Sequence, residues 1–272
     1  MVKTVIKNKQ GIIGLTMIFI VIIIAFLAPF IAPNDPNEIN TALKFASSTS
    51  KYPLGTDQLG RCVFSRIVFG ARCSLGISIP SLIILAIISI IIGSFTAYRG
   101  GRVDKFCSII CNIFMAFPPI VVVLSLSGLF GQGILSIIIS IVLSMWVWYV
   151  KVIRSYVLIE KEKDYIKSAK IAGCNDFKIV TRHIIPNILP MMIVYFTTSI
   201  AALILMISGY SFLGIGINTD IPEWGSMLSS AKSYLYSNPK LIIYPGFSIL
   251  FTATAFNLFG EALRNIITPD EV

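Results

Sequence analysis

The chain has 272 residues, of which 56% are hydrophobic and 13% are charged. Soluble domains carry roughly 25% charged residues, and disordered chains combine low hydrophobicity with high charge, so both classes are excluded. The same numbers exclude a soluble enzyme of two ordinary domains. A polytopic membrane protein remains.

Long uncharged runs predict six transmembrane helices and an all-α fold. A helix that rises about 1.5 Å per residue needs about 20 apolar residues to cross the hydrocarbon. The run 106–150 is too long for one span, and Gly128 and the triplet 131–133 divide it in two. The predicted spans are 12–32, 75–98, 107–127, 134–151, 190–209 and 243–261.

The first apolar stretch is interpreted as an uncleaved span. It is longer than the core of a signal peptide, and no small-x-small cleavage site follows it. The predicted organisation is a short N-terminus, a first helix, a connection, a five-helix core that includes a long basic loop, and a C-terminus. These parts cover 1–11, 12–32, 33–73, 74–264 with the loop at 151–189, and 265–272.

The distribution of basic residues predicts that both termini are cytoplasmic. Six spans place the termini on one side, and that side then carries 15 of the 22 Lys and Arg residues, as the positive-inside rule requires. The net charge of +9 is therefore explained by the basic residues on the cytoplasmic side and does not indicate nucleic-acid binding. Arg61, Arg66 and Arg72 fall outside, where their spacing predicts a surface segment leading into the second span.

No catalytic, cofactor or metal site is predicted. The single histidine, His183, cannot build a His-based triad or metal cage. The segment 55–62 has the glycine spacing of a phosphate-binding loop, but Arg61 and Cys62 replace the required Lys and Ser or Thr. Cys107 and Cys111 form a weak metal pair because no His or carboxylate accompanies them. A disulfide between Cys62 and Cys73 stays an open alternative.

The spans also argue against an ion-coupled transporter. Such proteins keep ionisable groups near the middle of the bilayer, and no predicted span has one there. A gated channel needs polar or charged rings, and the spans offer only scattered Ser, Thr and Asn. Energy for transport must therefore come from another protein.

The loop 151–189 has the pattern of helix, turn and helix. Tyr165, Ala169 and Ala172 are spaced to form one small apolar face of the first helix, with lysines on the other side. Gly173 is placed to end that helix in the left-handed conformation. Asn175 can cap a second helix that is predicted to end near residue 185.

Prolines 186 and 190 mark the entry to the fifth span. The residues alone leave two interpretations of the loop open. A basic amphipathic element can lie on lipid headgroups, or it can dock onto a cytosolic protein.

A resemblance to a known family decides between them. The segment 164–173, followed after nine residues by His183-Ile-Ile-Pro186-Asn187, resembles the coupling loop, or EAA motif, of ABC importer permeases. The ending from Arg182 is typical of the peptide/nickel permease group. Further matches, in the order typical of the second permease subunit, are 54–61, 70–75, 100–104, 117–118, 211–216, 223–225 and 256–264. Lys167 and Ser168 replace the Glu and first Ala that name the motif.

The resemblance implies that this chain is one subunit of a multiprotein transport complex in the bacterial inner membrane. A homologous second permease would share the pathway, two cytosolic ATP-binding subunits would dock below, and an extracytoplasmic binding protein would deliver the substrate; membrane lipid surrounds the spans. Residues that match the coupling loop are Asp164, Tyr165, Ser168, Ala169, Gly173, Arg182, His183 and Pro186.

The substrate is predicted less sharply than the class. The group carries di- and oligopeptides in some members and nickel or metal chelates in others. The short leader and the stretch 145–155 resemble the nickel permeases, so nickel or a nickel chelate is favoured over peptides. Pro118 and Pro119 are predicted to kink the third span. Trp224 with Glu223 and Gly225 either contacts the binding protein or folds an outer loop, and the loop is favoured.

Overall fold

The computed structural model describes residues 8–215, 217–218 and 220–267, and within them the protein is helical. Gly216 and parts of the predicted terminal segments lie outside the described residues. The one bridge of β type joins Thr56 and Cys62 in the described part of the chain. The helices are α1 Lys9–Ile31, α2 Val63–Arg99, α3 Gly101–Met115, α4 Pro119–Phe130, α5 Ile134–Glu160, α6 Asp164–Ile171, α7 Asp176–Phe212, α8 Trp224–Ala231 and α9 Lys240–Ile267. The all-α prediction is confirmed.

The helices connect at two faces of the bundle, which we name from the chain. The terminal face is where α1 begins and α9 ends, and it carries α6; the distal face carries the connection 32–62 and α8. On the terminal face, Lys161 Nζ donates to the Ala97 carbonyl at 3.1 Å. On the distal face, the Trp224 indole donates to the Ile67 carbonyl at 3.0 Å. Both bonds join elements that the predicted topology places on one side.

Five of the described helices are long and apolar enough to cross a membrane, namely α1, α2, α5, α7 and α9. The remaining predicted span, the third along the chain, is a broken pair, because α3 and α4 meet at an angle of 80°. The break lies at Pro118 and Pro119, as predicted, since proline lacks the N–H that continues a helix and restricts the residue before it. Six spans are present when this pair counts as one.

The two largest apolar clusters each join several of the long helices. One joins α2, α5 and α7 around Leu85, Ile141 and Ile207, and the other joins α1, α2, α7 and α9. A Cβ at Gly14 of α1 would lie 2.6 Å from the backbone nitrogen of Phe259 in α9. In lipid, helix association depends on such close packing, because the lipid tails are as apolar as the side chains.

The connection before α2 is folded around two buried arginines. Arg61 is 4% exposed and pairs with Asp57 at 2.7 Å, and Arg66 is 1% exposed and donates to the Pro36 carbonyl at 3.0 Å. The prediction that both lie on a surface segment is wrong, although Arg72 is exposed. A buried charge is tolerated only with bonded partners, and the folded connection supplies them.

The cysteines are free thiols. Cys62 is buried and Cys73 is half-buried, and the structure has no disulfide between them. Cys107 and Cys111 are both buried on α3, against Val147 and Val150 of α5. They therefore share one face of α3.

The outer motif 223–225 is packed inside the bundle. Trp224 is 2% exposed, and Glu223 is fully buried. The Glu223 carboxylate accepts from the Ser226 N–H at 2.9 Å and from the hydroxyls of Ser74 and Ser208 at 3.4 and 3.3 Å. The prediction that this motif folds the loop is confirmed, and α8 is fixed between α2, α7 and α9.

Candidate coupling site

The segment α6 begins with a carboxylate in its first turn. Asp164 lies where the positive end of the helix dipole favours an acidic side chain. Its Oδ1 atom is 3.3 Å from Lys167 Nζ, and the Asp164 side chain is 98% exposed. An ion pair so exposed contributes little stability. Asp164 and Lys167 are therefore available to a partner.

The segment ends in a Schellman turn at Gly173. The Gly173 N–H donates to the Lys170 carbonyl, and the Cys174 N–H donates to the Ala169 carbonyl, both at 3.1 Å. Gly173 has φ +82°, the left-handed conformation that side chains disfavour. A Cβ added there would meet no described atom within 4 Å. The predicted left-handed end of the helix at Gly173 is confirmed, and the requirement for glycine is conformational, since space does not demand one.

Tyr165 braces α6 against both neighbouring helices. Its hydroxyl donates to the Glu160 carboxylate at the end of α5 and also hydrogen-bonds the Asn187 side chain of α7. Glu160 is in turn 2.8 Å from Lys163 Nζ. Burial and the neighbouring Glu160 carboxylate raise the pKa of the Tyr165 phenol above its ordinary value. The hydroxyl thus stays protonated and keeps its role as a donor.

The inward face of α6 is built around Ile166. Ile166 is 3% exposed and packs, with half-buried Ala169, against Val157 of α5 and Ile179 of α7. Tyr165 makes polar contacts, Ala169 is half-buried and Ala172 is exposed, so the predicted face of Tyr165, Ala169 and Ala172 is not the one that packs against the bundle. Ile166 and Ala169 are also three residues apart, and only the positions of α5 and α7 select this face.

An exposed apolar group marks the outward side of α6. Ile171 is 88% exposed and Phe177, two residues into α7, is 64% exposed. Ser168 is exposed as well. Sequence reasoning missed Ile171, although an isoleucine between lysine-bearing turns and a helix-ending glycine was a usable signal. A large apolar side chain outside the membrane favours a protein partner.

The second half of the loop is part of a transmembrane helix. The Asn175 side chain caps α7 by accepting from the Lys178 N–H at 2.8 Å, as predicted. The helix does not end near residue 185, however, and continues through a π-helical turn, Val180–Ile184, to Phe212. Pro186 cannot donate to the carbonyl four residues earlier, and the wider turn accommodates it without ending the helix.

The motif ending 182–187 lies along this wider turn. Arg182 is exposed, and His183 is half-buried. The His183 carbonyl accepts from Asn187 Nδ2 at 2.6 Å. The hydrogen bond between the Asn187 and Tyr165 side chains therefore connects the end of the motif to α6. Pro186 itself is exposed.

A bidentate ion pair connects the broken span to α5 beside this site. Arg154 Nε and Nη2 donate to the two Asp104 carboxylate oxygens at 2.6 and 2.7 Å. Lys151 Nζ also donates to Asn112 Oδ1 at 2.6 Å. Bidentate arginine–carboxylate pairs fix orientation as well as distance. The first turn of α3, on the terminal face, is thus attached to α5, the helix that leads into α6.

Comparison with known proteins identifies the class. A family model described as "binding-protein-dependent transport system inner membrane component" matches residues 89–271. The chain belongs to this family. A second model, the N-terminal TM domain of oligopeptide transport permease C, matches residues 1–48. The chain is a permease subunit of an ABC importer, and the gated-channel alternative is set aside.

Curated relatives of this permease align over almost all of its length. It is 36% identical over 267 residues to the metal-staphylopine import system permease protein CntC of Staphylococcus aureus, with 98% of this chain and 92% of the relative covered. It is 31% identical to the nickel transport system permease protein NikC of Escherichia coli, with 94% and 93% covered. It is 33% identical to the dipeptide transport system permease protein DppC of Alkalihalophilus pseudofirmus, with 97% and 86% covered.

Proposed function

We propose that α6 and the Gly173 turn are the element through which ATP-hydrolysing partners drive this permease. The observation that carries the proposal is the two-sided construction of α6. Its inner side is fixed by Ile166 and the Tyr165 hydroxyl, while its outer side exposes Ile171. An element that is rigid toward its own chain and apolar toward solvent suits the transmission of a partner's movement.

The lengths of the flanking helices support a lever. Helix α5 has 27 residues and α7 has 37, so they extend about 40 and 55 Å at 1.5 Å per residue. Both exceed the roughly 30 Å of hydrocarbon. Their ends therefore project beyond the bilayer, and α6 is attached to both projections. A displacement of α6 would move two transmembrane helices together.

The orientation follows from charge. The lysines of α6 and the basic residues of α5 and α7 lie on the terminal face, and an excess of Lys and Arg marks the cytoplasmic side. We place both termini and α6 in the cytoplasm of a bacterial cell with this chain in the inner membrane. Two ATP-binding subunits then dock at α6, and the distal face meets the extracytoplasmic binding protein.

Hydrolysis is assigned to those partners, and a second, homologous permease completes the pathway. The chain's own glycine-spaced segment, 55–62, supports this division of labour. Its Arg61 side chain is buried against Asp57, so it is committed to folding the connection. No cofactor or catalytic residue is proposed for this subunit.

The proposed substrate is nickel or a nickel chelate, with di- or oligopeptides as the alternative. Identity to the metal-staphylopine and nickel permeases supports the first, and identity to the dipeptide permease supports the second. Calorimetry on the purified binding protein with nickel, nickel–histidine and short peptides tests the choice. Tight binding of peptides alone would replace nickel by the alternative.

Reconstitution tests the mechanism. Vesicles that hold the complete complex should take up substrate only with ATP and loaded binding protein. A membrane-impermeant amine reagent should reach exposed Lys167 from the cytoplasmic side alone. Labelling of Lys167 from outside, or solute movement by this chain without nucleotide, would contradict the proposal.

A further inference from the structure

The distal face is divided by charge. On one side, exposed Asp35, Glu38 and Asp220 lie near a cavity of about 520 Å³ whose lining includes Asn37 and Pro222. On the other side, residues 41–56 and 225–244 contain lysines and no Asp or Glu. These two segments enclose a second cavity of about 340 Å³.

Three lysines and two tyrosines form what we name the basic–aromatic patch: Lys44, Lys232, Lys240, Tyr234 and Tyr236. Lys44 Nζ lies 5.9 Å from the ring centroid of Tyr234, a cation–π contact that holds the ammonium group in place. Tyr234 in turn packs edge-on against Phe45, with ring centroids 4.9 Å apart. Lys240 lines the cavity. The two chain segments thus meet at this patch.

Tyr236 is the most exposed aromatic side chain on this face. It is 98% exposed, in the turn between α8 and α9, and neighbouring Leu235 is 44% exposed. The contrast with Trp224, which is 2% exposed a few residues earlier, shows that this connection can bury an aromatic ring. Tyrosines that protrude beside a concave surface are frequent anchors of protein interfaces.

We propose that the basic–aromatic patch is where the extracytoplasmic binding protein docks, through a surface of that protein that carries carboxylates. The inference rests on the proposed function, which supplies the partner and the outward orientation of the distal face. The lysines attract and orient the acidic surface, Tyr236 anchors it, and the 340 Å³ cavity receives a side chain of the partner.

A protein fits this patch better than lipid does. Lys44 and Tyr234 belong to folded connections outside the long helices, and the cavity between their segments is lined by Ser47, Ser48 and Asn238. Lipid headgroups would meet lysines at the ends of spanning helices, where Lys240 alone qualifies.

The test uses the complete transporter in nanodiscs and the loaded binding protein. Tyr236→Ala should raise the Kd for the binding protein about tenfold, as loss of an interface anchor does. The double variant Lys232→Glu, Lys240→Glu should raise it about tenfold or more and reverse its salt dependence, since repulsion is screened by salt. ATP hydrolysis without binding protein should stay unchanged in all variants, which also verifies their folding.

Lys51→Glu is the matched control. Lys51 also belongs to the basic segment 41–56, but its carbonyl accepts from Asn34 Nδ2 at 2.7 Å, so it lies at the edge of that segment toward Asp35, and it does not line the 340 Å³ cavity. Its reversal is the same charge change, made at one position where the double variant makes it at two. The control should change the Kd less than about twofold. Wild-type affinity in the patch variants, or equal loss in the control, would overturn the docking surface. Altered hydrolysis that depends on anionic lipid, with the Kd unchanged, would assign the lysines to headgroups and also overturn it. If loaded binding protein fails to stimulate the wild-type complex, the proposed function itself fails.

Discussion

Two short helices of this permease, α6 and α8, have the same length but differ in how much of their apolar surface is buried. Each has eight residues and lies outside the long spans. Helix α8 buries Trp224 and is preceded by the fully buried Glu223. Helix α6 buries only Ile166 and exposes Ile171. Helix α8 therefore completes the fold of its own chain, whereas α6 leaves a large apolar side chain exposed.

Their glycines differ in the same way. A Cβ at Gly225 would lie 2.1 Å from the Ser208 carbonyl oxygen, so packing requires a glycine there. Gly173 has open space around it and is required by its φ of +82°. Substitutions at the two positions should therefore fail by different mechanisms, which makes the comparison testable.

The largest expected effect is at α8. Gly225→Val should prevent assembly, because the side chain would overlap the backbone of α7, and overpacking costs about 3 kcal/mol or more when backbone must move. Fluorescence-detected size exclusion should show aggregated protein. Gly209→Ala, on α7 with no described atom near the new Cβ, is the control and should remain monodisperse. A folded Gly225→Val protein would remove the distinction between the two helices.

The next effect is at the coupling turn. Gly173→Pro cannot adopt a positive φ, so the Schellman turn is lost and uptake should fall at least about tenfold while ATP hydrolysis continues. Gly173→Asp should also uncouple, because it adds a charge to the docking surface. Paired assays of hydrolysis and uptake in vesicles measure the ratio.

Gly173→Asn serves as the matched variant, because asparagine tolerates the left-handed conformation best after glycine. It should retain most of the uptake. Normal uptake by the proline variant would argue against a lever that passes through this turn.

A smaller effect separates the two sides of α6. Ile171→Asp changes an exposed side chain, so stability should shift by less than about 0.5 kcal/mol, while affinity for the ATP-binding subunits should fall about tenfold. Ile166→Asp should instead lower thermal stability. Co-purification and melting curves of both variants test this, and unchanged co-purification of Ile171→Asp would place the partner elsewhere.

The smallest expected effect is at the Tyr165 hydroxyl. Tyr165→Phe keeps the ring and removes the hydroxyl that joins Glu160 and Asn187, which should cost about 1–2 kcal/mol of local stability. Hydrogen exchange should become faster in α6 and stay unchanged in α8. Equal protection of α6 in both proteins would mean that packing of Ile166 alone holds the segment.

The class of this protein, its spans and the turn at Gly173 could be predicted from local features of the amino-acid sequence. Apolar content, helix-breaking prolines and a glycine after a basic helix are local properties, and their effect does not depend on which other segments pack nearby. The three-dimensional fold was needed to show that Ile166 faces inward, that α7 continues through Val180–Ile184, and that Arg61 and Arg66 are buried. Each of these depends on where a second segment lies, because a helix offers several faces and a buried charge needs a bonded partner that spacing along the chain does not reveal.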